Sequence, residues 1–262
     1  MIRLEHVYKS FGSKRVLNDM NLHVERGESF VIMGPSGIGK SVTLKTIVGL
    51  VPADRGQVEV AGVNVTTASW EELCRVRSRI GYLFQSGALI NWMTVAENVA
   101  LPLLERTQMT RREIDHRVDD LLAQVEMLHA RDLYPSAISG GMKKRAALAR
   151  VLAGTPAIIL YDEPTAGLDP IMTSTISQLI RDTQQKYQVT SIVVTHDIPC
   201  AFRVADRIGM VCDGKLVLVG TVEELQNSDH PVVSRFLRGE PLPTEAACAP
   251  PSTRPTAEER EG

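Results

Sequence analysis

Residues Glu28–Leu50 read "ESFVIMGPSGIGKSVTLKTIVGL". The first six form a short, nearly continuous apolar run, the pattern of a strand buried on both faces. "GPSGIGKS" (34–41) follows at once, and "SVTLKTIVGL" continues as a helix. Strand, glycine turn and helix in that order place backbone N–H groups and a helix N-terminus around an anion. The glycines let the backbone wrap phosphates without Cβ clashes. Lys40 is placed to reach β- and γ-phosphates, and the Ser41 hydroxyl to ligate Mg²⁺. An ordinary glycine turn would need neither the lysine nor the serine. Gly34, Pro35, Ser36, Gly37, Ile38, Gly39, Lys40 and Ser41 are therefore read as a phosphate-binding P-loop.

Two more apolar runs, "AIILY" (157–161) and "SIVVT" (191–195), predict further buried strands. "AIILY" runs into Asp162 and Glu163, at the strand edge where open α/β sheets gather their ligands. Asp162 is suited to hold the Mg²⁺ hydration shell, and Glu163 to orient or deprotonate an attacking water. Acids at a strand end are often only solvated; behind a P-loop they become candidates. "SIVVT" runs into His196, whose imidazole could contact a γ-phosphate, and Asp197, placed to cap the helix "IPCAF". "GYLFQ" ends on Gln85, an amide able to sense metal or water.

Strand and helix patterns alternate, so the fold class is α/β. The chain is rich in strand and turn signals to about Val65. Between about 86 and 155, Ile114, Val118, Leu121, Leu122, Val125 and Leu128 recur at helical spacing. This predicts a helical subdomain inserted between sheet strands. "GLDP" precedes another helix, and Asp213-Gly214 between apolar runs predicts a hairpin. Residues 230–239 predict a short helix closed by Gly239. The Pro-rich segment 239–262 is expected to be a disordered tail.

A net charge of −2 argues against a general nucleic-acid binder. Cys74, Cys200, Cys212 and Cys248 are scattered without a CxxC or Cys/His cluster, which argues against a zinc site or a disulfide framework. Apolar runs fall far short of the roughly 20 residues of a membrane-spanning helix. Met1 leads directly into strand-like "IRLEHV" with no signal peptide. The expectation is a protein that does not itself cross the bilayer, which leaves docking on a membrane component open.

"ISGGMKKR" (138–145) carries no obvious acid, base or nucleophile, yet sets a serine and two glycines before a helix-prone run. Taken with "GPSGIGKS", "FQ", "YDEP", "GLDP" and "TH", in that order and spacing, it resembles the ATP-binding subunits of ABC transporters over about residues 1–225. The resemblance implies a P-loop ATPase of that type. Its mixed-sheet core would carry an antiparallel β subdomain and the inserted helical subdomain, and residues 1–238 would form the ATPase domain. It further implies that Phe11 stacks on adenine, that Val42 joins the ATP site, and that Gln85 belongs to the Q-loop and the Mg²⁺ environment. Glu163 would be the catalytic glutamate, Asp169 the D-loop acid and His196 the switch histidine. Ser139, Gly140, Gly141 and Met142 would form the signature that clamps the ATP of a second copy in a head-to-tail homodimer.

Met142 stands where glutamine is usual, and Val42 where threonine is common. Both departures resemble the ATPases of MCE-type lipid transporters, including the phospholipid-trafficking systems also called organic-solvent-resistance proteins. That implies a peripheral subunit at the cytoplasmic face of the inner membrane, with an integral-membrane permease and an MCE-domain lipid-binding protein as partners. Leu89, Ile90, Trp92 and Met93 follow the Q-loop; they either line the groove for the permease or pack inside the helical subdomain. Other cargoes remain alternatives. A non-transport role on DNA or ribosomes lacks the expected coiled-coil insert or second domain, and retained Glu163 and His196 speak against a regulatory module without turnover.

Overall fold

The computed structural model describes residues 1–241; the expected tail lies outside the described residues from 242 onward. The chain opens with β1 (Ile2–Phe11), β2 (Lys14–Val24) and β3 (Ser29–Met33), and α1 (Lys40–Ile47) follows. Next come β4 (Arg55–Val60), β5 (Val63–Asn64), α2 (Trp70–Ser78) and β6 (Ile80–Leu83). Three helices then run without an intervening strand: α3 (Val95–Arg106), α4 (Arg111–Gln124) and α5 (Gly140–Ala153). Strand and helix alternate again in β7 (Ile158–Asp162), α6 (Pro170–Tyr187), β8 (Thr190–Thr195) and α7 (Ile198–Val204). β9 (Arg207–Cys212), β10 (Lys215–Gly220), α8 (Val222–Gln226) and α9 (Pro231–Leu237) complete the described chain.

The strands form two sheets, ordered β2-β1-β4-β5 and β10-β9-β3-β8-β7-β6. The first is antiparallel. In the second, β6, β7, β8, β3 and β9 are parallel and β10 is an antiparallel edge. Side-chain alternation explains the continuous apolar runs. Phe30, Ile32, Ile158, Leu160, Ile192 and Val194 face a core shared with α1 and the antiparallel sheet. Val31, Met33, Ile159, Tyr161 and Val193 face the opposite core, which the other helices cover. Both faces are buried, so no polar alternation is possible.

The insert α3–α5 lies between β6 and β7, which are neighbours in the sheet. Capping boxes start α3 at Thr94/Glu97 and α4 at Thr110/Glu113. Ile114, Val118, Leu121, Leu122 and Val125 are buried as their spacing predicts. Leu128 departs from that expectation and is 44% exposed. The chain leaves α4 for a 3₁₀ turn at Leu128–Ala130, which rotates the helical phase. The β9–β10 hairpin turns at Asp213 and Gly214, both at positive φ, as a type I′ turn requires.

Candidate functional site

β3 delivers the loop 34–39 at the C-terminal edge of the large sheet. α1 begins there with no side-chain cap and no acid in its first turn, whereas α2, α3, α4 and α8 each begin with a capping box. The first N–H groups of α1 are thus left for an anion. Lys40 is buried across the loop; its Nζ donates to Gly34 O at 2.7 Å and Pro35 O at 2.8 Å. It also stands 3.3 Å from Glu163 Oε1. Burial lowers its pKa from the ordinary lysine value, while the charges of Glu163 and Asp162 oppose that shift.

Two carboxylates end β7 and its following turn. Ser41 Oγ donates to Asp162 Oδ1 at 2.6 Å, and the Tyr82 hydroxyl donates to Oδ2 at 3.1 Å. Burial first, and Asp162 second, push the Tyr82 pKa up, so the phenol stays a donor. Ser41, Asp162 and nearby Gln85 offer hard oxygens, a set that fits Mg²⁺. Among the described residues no cluster of three or more His, Cys, Asp and Glu could hold a metal. A sparse oxygen set suits an ion that keeps several waters and shares phosphate ligands.

Glu163 adopts φ 47°, a left-handed conformation that costs about 1–3 kcal/mol in a non-glycine residue unless its surroundings impose it. Its N–H donates to Val194 O at 2.9 Å, and its carbonyl accepts from Lys144 Nζ at 3.2 Å. Glu163 Oε2 is buried and accepts no hydrogen bond. His196 Nδ1 approaches it to 3.0 Å, within ion-pair distance. The loop behind His196 is fixed: Asp197 Oδ1 accepts from Cys200 N and Oδ2 from Thr165 Oγ1, each at 3.0 Å. Asp197 is thus the cap its position predicts.

A cavity of about 350 Å³ joins these groups; Phe11, Ser36, Gly37, Gly39, Lys40, Ser41, Val42, Gln85, Glu163 and His196 all line it. Gly34, Pro35 and Ile38 complete the loop without lining the cavity. Phe11 is half exposed, with Lys9 Nζ 5.4 Å from its ring centroid. A larger cleft of about 940 Å³ lies beside the N-terminal ends of β6, β7 and β8, with Arg3, Arg26 and Arg79 in its wall. None of the motif residues reaches it, so chemistry selects the smaller cavity.

Ser139, Gly140, Gly141 and Met142 do not line the phosphate cavity. Ser139 caps α5, its Oγ accepting from Met142 N at 3.3 Å; its hydroxyl proton stays available to another acceptor. A Cβ at Gly141 would sit 2.5 Å from Met172 Cε, the free end of a flexible side chain on α6. A Cβ at Gly140 would meet only Leu168 Cδ2, at 3.8 Å. Packing within the chain therefore does not require glycine at 140. Asp169 caps α6, accepting from Ile171 N at 3.0 Å and Met172 N at 2.9 Å, and leaves Ile171 78% exposed.

The segment after Gln85 resolves unevenly. Leu89 packs on the core, Ile90 and Met93 are half buried, and Trp92 is 82% exposed. Buried Asn98 sets this shape: its Oδ1 accepts from Ile90 N, and its Nδ2 donates to the carbonyls of Ile90, Met93 and Thr94. Trp92 is thus left exposed on the turn before α3, while Leu133, itself exposed, accepts from Val95 N at the start of that helix.

Tyr82, Asn98 and Lys144 carry parts of this geometry without having been singled out in the sequence. Lys144 is buried, and its Nζ donates to the carbonyls of Gln85 and Glu163. The signal was present in helical phase: Gly141, Lys144, Leu148 and Val151 share one buried face of α5.

The mixed sheet and its strand–loop–helix unit define the class: a P-loop nucleotide-binding domain. The model of the ABC transporter family matches residues 17–166, more than half of the chain, and the chain belongs to that family. It is 44% identical over 238 residues to the probable ribonucleotide transport ATP-binding protein mkl of Mycobacterium tuberculosis. That match covers 91% of this chain and 66% of the relative, so the chain spans just under two thirds of the mycobacterial length. It is 39% identical to the intermembrane phospholipid transport system ATP-binding protein MlaF of Escherichia coli, covering 91% of this chain and 89% of the relative. A dimeric ATP-binding cassette, MJ0796 bound to ADP and Pi, superposes with a TM-score of 0.78 at 35% identity, covering 85% of this chain and 99% of that one. No helix among the described residues is long and apolar enough to cross a membrane.

Proposed function

We propose that this chain is the ATP-hydrolysing subunit of an ABC transporter, with residues 1–238 as its ATPase domain and about 86–155 as a helical subdomain. It works as a homodimer at the cytoplasmic face of the inner membrane. There it drives phospholipid or related lipid transport with an integral-membrane permease and an MCE-domain protein. The observation that carries the ATPase reading is the convergence of Lys40, Ser41, Glu163 and His196 on one cavity, with Asp162 bonded to Ser41. The lipid reading rests on the likeness to the phospholipid transport protein MlaF, together with Met142 and Val42.

Catalysis is positioning and electrostatics. The loop amides and Lys40 hold the phosphates, and Phe11 covers the base. Ser41, Asp162 and Gln85 would hold Mg²⁺, which supplies charge neutralisation between phosphates. The Glu163 carboxylate takes the proton of the attacking water, and His196, 3.0 Å from its Oε2, contacts the γ-phosphate beside it. Ser139 and the N–H groups of Gly140 and Gly141 serve the nucleotide of the second subunit. Exposed Trp92, with half-buried Ile90 and Met93, offers the apolar surface for the permease.

The names of the mycobacterial relatives favour a second cargo, ribonucleotides. Purifying the native complex and identifying its proteins and lipids separates the two. The expected result is a permease, an MCE-domain subunit and bound phospholipid. A complex holding ribonucleotide at its membrane subunit and no MCE-domain protein would overturn the lipid reading.

A further inference from the structure

Lys144 is 5% exposed, on the second turn of the helix that begins at Ser139. Its partners are two backbone carbonyls, those of Gln85 and Glu163. These sit at the ends of neighbouring parallel strands, β6 and β7, on two separate loops. Burying an ammonium is unfavourable, and an apolar side chain on this face of α5 would pack at lower cost. The residue therefore has a use other than stability. Glu163 supplies one: its φ of 47° persists only if neighbouring groups hold the backbone from both sides. Val194 O holds its N–H; its carbonyl accepts from Ala166 N within its own turn and from Lys144 Nζ, each at 3.2 Å, and only the lysine ties it to another element. Arg150, two turns further along α5, donates to Gly87 O at 2.9 Å and Ala88 O at 2.8 Å, so the same helix also fixes the chain just past Gln85.

We infer that Lys144 is a positioning residue for hydrolysis: it locks Glu163 and Gln85 to the signature helix, so that the Glu163 carboxylate and the Gln85 amide keep their reactive placement. The inference rests on the roles proposed above for those two residues. Lys144 does not line the phosphate cavity. Because α5 also presents Ser139 to the second subunit in that reading, Lys144 makes one rigid body of the part facing the partner's ATP and the part shaping its own site.

The test uses the full-length chain with Mg²⁺ and ATP, measuring steady-state hydrolysis, binding of a fluorescent ATP analogue, and melting temperature. Misplacement of a catalytic group by about 1 Å lowers rate up to about a hundredfold, so Lys144→Met is expected to lower kcat by about tenfold or more. Analogue affinity should stay within about threefold, since the phosphate cradle itself is untouched. Lys144→Arg, which keeps donors at the same depth, should restore most of kcat. A native kcat in Lys144→Met overturns the inference. So does an equal loss of binding and rate that Lys144→Arg does not rescue. If Lys144→Met does not fold, Lys144→Gln takes its place; failure of both to fold makes Lys144 a packing residue and also overturns it. Glu163→Gln, run alongside, separates the two levels. Turnover surviving in Glu163→Gln refutes the site roles, whereas its loss beside a fully active Lys144→Met refutes only the positioning.

Discussion

His196 Nδ1 lies 3.0 Å from Glu163 Oε2, yet that buried oxygen accepts no hydrogen bond from any described residue. In the proposed reading this carboxylate is the base that takes the proton of the attacking water. Glu163→Gln keeps the shape and removes the basicity. Hydrolysis should fall by about a hundredfold or more while ATP binding survives, with an ATP-held dimer visible by sizing chromatography. Native turnover in this variant removes Glu163 from the role.

Phe11 stands at the cavity mouth with about half its surface open. Stacking of a base on such a ring is worth about 1–3 kcal/mol. Phe11→Ala should therefore weaken ATP binding by roughly five- to a hundredfold, with kcat at saturation little changed. Unchanged affinity in a titration would assign the base to another ring, with Tyr8 the first to examine.

Ser139 and Gly140 do not line the chain's own phosphate cavity, and the surroundings of Gly140 are open. Lys40→Ala and Ser139→Arg should thus complement in one forced heterodimer. Both lesions then fall in one composite site and leave the other intact. Vanadate trapping of nucleotide with Mg²⁺ is expected in the mixed dimer and in neither mutant homodimer. A verified, folded heterodimer that traps nothing sinks the cross-subunit assignment.

Cys200 is buried on α7, and burial raises its thiol from 9.0 to about 11, while Cys74 is exposed. At pH 8, alkylation read by peptide mass spectrometry should label Cys74 and spare Cys200. The raised pKa favours the folded state only while the thiol is protonated. Its stabilising effect is complete below about pH 9 and is lost as pH rises to about 11. Cys200→Ala should flatten that part of the stability profile; an identical slope rules the thiol out as its cause.

The phosphate loop was legible because β3, the glycines, Lys40 and α1 are contiguous, and both-face burial leaves an unbroken apolar run at β3. The hairpin at Asp213-Gly214 was legible for the same local reason. Leu128 was misplaced because a 3₁₀ turn shifts phase without altering the apolar spacing. Tyr82 and Lys144 were passed over because their meaning lies in partners distant along the chain: Asp162 for one, Gln85 and Glu163 for the other. In "MKKR" a lysine looks solvated until the helical face is worked out. Asn98 looks equally neutral, although it shapes the turn that presents Trp92.

β3 carries the phosphate loop, yet its sheet neighbours are β8 and β9, residues 190–212. A chain emerging from the ribosome therefore makes its nucleotide strand well over a hundred residues before the strands that flank it. Through that interval β3 presents unpaired N–H and C=O groups on an apolar strand, a template for pairing with other nascent chains. The whole of α3–α5 is also made before β6 can find β7, so long-range pairing governs the pace of folding. Premature termination ahead of Thr190 thus leaves a complete P-loop sequence without either of the strands that flank it in the sheet.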